Sequence, residues 1–278
     1  MISLVRTEFA KALRRGRTLA IGLALVGLPS LIVFAIHARG NGRGGDNGEG
    51  LFRLAHQSGL LVPAAVLEAM SAFLLIVIAG SIAGDIIAGD AASGNLRYLL
   101  MRPVRRGRLL VAKAFVAGTL IWGCTILVTV TALVGGVLFF GAHPITVPGL
   151  AIGSLFGGFH LTVTTLLERL AIATAYVAFG YSALLALGTF FSTVTDVPAG
   201  AIGATIGVYV VSEILDGITQ LGVIRYGFPT HYLAAWEPMF TQNRFPHDML
   251  AGVAVQLAYV AVFLSAALVW FNRKDIRS

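Results

Sequence analysis

An all-α integral membrane protein of six transmembrane helices is the fold class this sequence predicts, on three observations. Of its 278 residues 57% are apolar and only 12% charged, with a mean hydropathy of +0.85, whereas soluble domains carry about 25% charged residues. Apolar runs long enough to cross a hydrocarbon core about 30 Å thick, at about 1.5 Å per residue, recur along the chain. Lys and Arg gather in alternate connections between those runs. This composition excludes a water-soluble enzyme, a disordered chain and a nucleic-acid binder, despite a pI near 10.0. The one cysteine, Cys124, lies in an apolar run, where a thiol behaves as a small hydrophobe.

Residues 1–17 predict a helix lying in the membrane interface. Ile2, Val5, Phe9 and Leu13 recur at helical spacing, while Lys11, Arg14 and Arg15 fall on another face. Span one, 18–38, is longer than a signal-peptide core and is read as uncleaved. A glycine-rich outer loop, RGNGRGGDNGEG, follows and reads as flexible. The remaining spans are 60–83, 114–141, 171–192, 199–215 and 249–271, forming with the first a single domain over 1–278. A stretch at 149–167, crowded with Gly and Thr, is left open as a further membrane segment. With both termini in the cytoplasm, fourteen of the twenty Lys and Arg residues fall on the inner side, as positively charged loops resist translocation. The basic excess therefore reads as topology and contact with anionic inner-leaflet lipid.

The longest inner loop, 84–113, reads GDIIAGDAASGNLRYLLMRPVRRGRLLVAK. Ser93 or Asn95 is suited to cap a short helix with Leu96, Leu99 and Leu100 on one face. Pro103 stops it, lacking an amide hydrogen, and a second helix starts near Arg108 and enters the membrane. On spacing alone a basic topology-setting loop is the better account, ahead of a rigid elbow built to receive a push. The order of residues, however, resembles the signature of the ABC-2 family of ABC-exporter permeases. The matching positions are Asp90, Gly94, Leu96, Pro103, Val104, Arg106 and Lys113, with Asp90 where Glu is usual and Asn95 where Thr is usual. The link 192–201, the outer segment RYGFPTHYLAAWEPMF and the closing FNRKDIRS are also similar to family members.

The resemblance implies a permease half that pairs with a second copy or a paralogue above two ATPase subunits, in a bacterial cell membrane. Loop 84–113 becomes a cytoplasmic coupling helix, with Asp90, Arg97, Arg102, Arg105 and Arg106 in the docking zone. ATP and Mg would be bound by the partner ATPase and no cofactor by this chain. The chain lacks GxxxxGK[ST], the loop whose amides cradle nucleotide phosphates, so it is read as no enzyme.

Two carboxylates fall inside spans, Glu68 in the second and Glu213 in the fifth, where a charge is costly unless it faces protein or water. Both are candidates for the translocation path; a reach to the interface or a structural hydrogen bond is the plainer alternative. Gly203 and Gly207 form a GxxxG read as a packing contact within the subunit in preference to a dimer seam. Tyr176, Tyr181 and Trp122 read as packing or interfacial anchors. All six histidines fall at the outer side without metal-site spacing. Gly180–Tyr181–Ser182–Ala183 superficially resembles a rhomboid serine site, but span six carries no His to serve as its base. A permease-like sensor or anchor remains the other alternative.

Overall fold

The computed structural model describes residues 2–13, 16–40, 51, 55, 58–94, 106–147, 159–241 and 246–274. Its helices are α1 (Ile2–Leu13), α2 (Gly16–Gly40), α3 (Val62–Ala72), α4 (Leu74–Gly84), α5 (Ala88–Ala92), α6 (Arg106–Phe140), α7 (Val163–Gly180), α8 (Ser182–Val194), α9 (Pro198–Asp216), α10 (Pro238–Thr241) and α11 (Asp248–Arg273). A 3-10 helix covers Thr219–Gly227, and β1 (Ile145–Val147) pairs antiparallel with β2 (Phe159–Leu161). Five helical stretches are long and apolar enough to cross a membrane: α2, α6, α7 with α8, α9 and α11. The pair α3–α4, bent by 54°, supplies the sixth. The protein is an all-α, multi-pass membrane protein.

Two boundaries differ from those the apolar runs predict. Span four begins at Val163, not 171, because Thr162 caps it by accepting from the Thr165 amide at 3.3 Å. The polar first turns, with Glu168 and Arg169, hide that start in the sequence. The open stretch 149–167 therefore divides: its last residues open span four, 159–161 form β2, and 148–158 lie outside the described residues. No seventh spanning helix occurs among the described residues. Helix α6 starts at Arg106 and, at 35 residues, is about 50 Å long against about 30 Å of hydrocarbon. Its first turns therefore project from the membrane. Span five ends at Asp216, and the chain turns into an exposed 3-10 helix.

Span four is the central pillar. In its most apolar stretch 67% of residues are buried, against 17% to 28% for the other unbroken spans; spans two, three, five and six pack on it, and span one packs on α6. Lipid offers no hydrophobic drive between helices, and close contact depends on small residues. Accordingly α4 wedges between α8 and α9 at glycines. Gly188 abuts Ala83, a side-chain carbon at Gly84 would meet the Ile202 backbone at 2.7 Å, and one at Gly80 would meet Ile206 at 2.7 Å. At the opposite end Gly59 lies against Gly136 and donates its amide to the Gly141 carbonyl at 3.0 Å.

Candidate functional site

Helix α1 and the end of α11 lie at one end of the bundle, here called the terminal end. Lys113, two turns into α6, is buried, and its ammonium donates to Asp90 Oδ2 at 2.5 Å and to Glu8 Oε2 at 2.7 Å. Lys11 reaches the other oxygen of Asp90 at 2.7 Å. One ammonium and one carboxylate thus clamp three elements that are far apart in sequence: α1, α5 and α6. Arg17, opening α2, adds an exposed pair to Asp85 at 3.0 Å. Burial pushes the Asp90 carboxyl up, but Lys113 and Lys11 beside it more than offset this and hold it below its ordinary value of 3.8.

The segment carrying Asp90 is hung on span four. Ser192 Oγ, at the end of α8, accepts the amides of Ile87 and Ala88, each at 2.9 Å, taking two of the donors that a helix start leaves unpaired. Ser93 closes α5, its hydroxyl donating to the Gly89 carbonyl at 2.9 Å. Gly94 follows at φ 70° with its amide on the Ala91 carbonyl, the left-handed position that glycine takes at no steric cost. That geometry explains a glycine at this place in the motif.

Asp90 and Lys113, expected in a docking zone, are 1% and 6% exposed. Their side chains hold the elbow together from inside and do not form its outer face. Arg106 donates to the Lys274 carbonyl at 2.8 Å, pinning the start of α6 to the end of α11. Leu96, Arg97, Arg102, Pro103 and Arg105 lie outside the described residues, as do Asn95, Leu99 and Leu100. Glu8 escaped the sequence reading, masked by its basic helix. Its signal is that it is the only carboxylate before Asp46. Phe9 and Leu13, on the apolar face predicted for α1, are 38% and 47% exposed.

At the far end, residues 219–241 form a cap whose backbone carbonyls accept donors from the spans. Gln256 donates to Pro229 at 2.7 Å, Tyr176 to Tyr232 at 2.7 Å and Tyr259 to Gly227 at 3.2 Å, and the Arg169 guanidinium donates to Met239. His231 Nδ1 meets Asp216 Oδ1 at 2.5 Å. Glu68 is half-buried, with an inward oxygen that has no hydrogen-bond partner among the described residues. Glu213 is exposed beside the Thr230 hydroxyl. Glu237, in the cap, is pushed up to about 7 by burial and by the charge of Glu68. The two candidate path carboxylates thus sit at the same end, and Glu237 is a third that the sequence reading missed. Tyr176 and Tyr181 are buried packing groups with satisfied hydroxyls. The GxxxG expectation is overturned, since a side-chain carbon at Gly203 or Gly207 would meet nothing within 4 Å; both face away from their own subunit.

Several apolar helices long enough to cross a membrane, with a short connecting segment clamped at one end, make a multi-pass membrane protein. The sequence matches the ABC-2 family transporter proteins over residues 2–276, and the chain belongs to that family. It is also 33% identical over 140 residues to "Probable ABC transporter permease protein NosY" of Stutzerimonas stutzeri. That match covers 47% of this chain and 48% of the relative, so the chain spans about half the length of the curated relative it matches.

Proposed function

We propose that this chain is one permease half of an ATP-driven exporter, driven by a separate ATPase subunit. The observation that carries the reading is the Glu8–Lys113–Asp90–Lys11 cluster. It locks the N-terminal helix, the elbow after span two and the projecting start of span three into one body. A force applied to the elbow then reaches three spans at once. In this reading the terminal end is cytoplasmic, two ATPase subunits dock on the basic elbow, and ATP and Mg are held by those subunits.

A second permease copy completes the path. The open glycine face of α9 suits its approach, since Gly203 and Gly207 offer a surface that another helix can meet closely. The exposed Phe9 and Leu13 of α1 suit the lipid of the inner leaflet. Glu68, Glu213 and Glu237 then stand in the outer half, where they would favour cationic groups on a passing compound.

Reversing charge at Arg102 and Arg105 (Arg102→Glu with Arg105→Glu) is expected to reduce co-purification of the ATPase from detergent, with the permease itself expressed normally. Unchanged recovery together with unchanged export refutes the docking assignment. ATPase activity that stays indifferent to every tested transported compound, in an intact complex, would favour a sensor over an exporter.

A further inference from the structure

Spans one and two separate towards the terminal end. Helix α2 packs along α6, whereas α4, beyond the 54° bend at Phe73, packs on α8 and α9. A crevice is left between α2 and α4, with α6 as its floor and α1 across its end. On each of three elements a charged residue comes first and apolar ones lie deeper: Arg17 then Ile21, Asp85 then Ile82, and Lys113 then Leu120 and Cys124. From Lys113 to Cys124 helix α6 runs about 16 Å, the depth of one leaflet of a hydrocarbon core about 30 Å thick. Charge at the surface, with an apolar lining for one leaflet below it, is the profile of a phospholipid.

The crevice is partly open, and its void measures about 100 Å³. That is several times what one water needs, and apolar walls favour an apolar occupant over water. It is far too little for another helix, about 10 Å across, so a partner span does not fit and a single flexible chain does. The charges decide the other end. Lys113 is shared by Asp90 and Glu8, and Lys11 is held by Asp90. Arg17 gives Asp85 Oδ2 a bond at 3.0 Å while its side chain stays 43% exposed. A guanidinium has five N–H donors in a fork that matches phosphate. We infer that this crevice binds one phospholipid, its phosphate on Arg17 and one acyl chain lying between α2 and α4 down to Cys124. The chain supplies there the packing that spans one and two do not give each other.

The test titrates the full chain, stripped of lipid in detergent, with dioleoyl phosphatidylglycerol and counts bound lipids by native mass spectrometry. One lipid is expected to bind about tenfold or more tighter than those that follow. Arg17→Ala is expected to weaken that first step about tenfold. Arg273→Ala, at an exposed position on the end of α11 outside the crevice, is expected to leave it unchanged. Dihexanoyl phosphatidylglycerol, with the same phosphate but chains too short to reach Cys124, should lose the distinct first step. So should Cys124→Trp, which fills the deep end; where that variant does not fold, the short-chain lipid decides. Binding without a distinct first step, an equal loss in Arg17→Ala and Arg273→Ala, or equal affinity for the two lipids overturns the site. No ATPase takes part, so the outcome stands apart from export.

Discussion

The two ends of the bundle are fastened by opposite chemistry. The terminal end is closed by a buried network of full charges, with Lys113 between Asp90 and Glu8. The far end is closed mainly by side-chain donors on backbone carbonyls, at Pro229, Tyr232, Gly227 and Met239, around carboxylates with few partners. A buried charge network is specific and unforgiving, because removing one member strands the others. Bonds to carbonyls are individually modest and easily replaced. In the proposed reading the first suits a part that transmits force from an ATPase, the second a part that opens.

The largest effect should come from breaking the charged end. Lys113→Met leaves two buried carboxylates without their shared cation, and a loss of about 3–5 kcal/mol is expected, read as a fall in melting temperature in detergent. Adding Glu8→Gln and Asp90→Asn should recover most of it. No recovery would mean that Lys113 matters by packing and not by charge. At the far end, Gln256→Leu removes two buried bonds, and a loss of about 1–3 kcal/mol for each stranded group is expected, with protease cleavage appearing first in 219–241.

Acidity should separate the ends further. Glu237 titrates near 7, above its ordinary 4.5. The folded state therefore favours its protonated form, and that contribution is present below 4.5 and lost as pH rises through about 7. Asp90 behaves oppositely: its lowered value gives a contribution present at neutral pH and lost as pH falls below 3.8. Cleavage within the cap should accordingly rise as pH goes from 4.5 to about 7 and level off above that. Glu237→Gln should flatten the rise; a rise that persists in this variant would remove Glu237 from the account. The smallest effect belongs to Arg17→Ala, whose pair with Asp85 is exposed on the arginine side and is worth about 1 kcal/mol or less. It should leave the melting temperature nearly unchanged.

The spans themselves were legible, because their apolar runs exceed what any soluble element needs. Asp90, Gly94 and Lys113 were legible as a motif, though not that two of them turn inward. The bend in span two was not legible, since Phe73 is flanked by apolar residues with no Pro or Gly beside it; the short interruption of span four at Tyr181 falls between Gly180 and Ser182, small residues that commonly mark such a place. The early start of span four hid behind Glu168 and Arg169, whose cost is met at Arg169 by the Met239 carbonyl. The glycines of α9 misled because GxxxG says that a helix can approach closely and not which helix does. Glu237 was missed because the cap that buries it has no periodic pattern to place it.

The central claim is that the clamped elbow faces the cytoplasm. In a Cys124→Ala background, Ser93→Cys and Gln220→Cys place single thiols at exposed positions on the two ends. Treated in intact cells with a membrane-impermeant maleimide, Gln220→Cys should be modified at once and Ser93→Cys only after permeabilisation. Modification of Ser93→Cys in sealed cells would contradict the account.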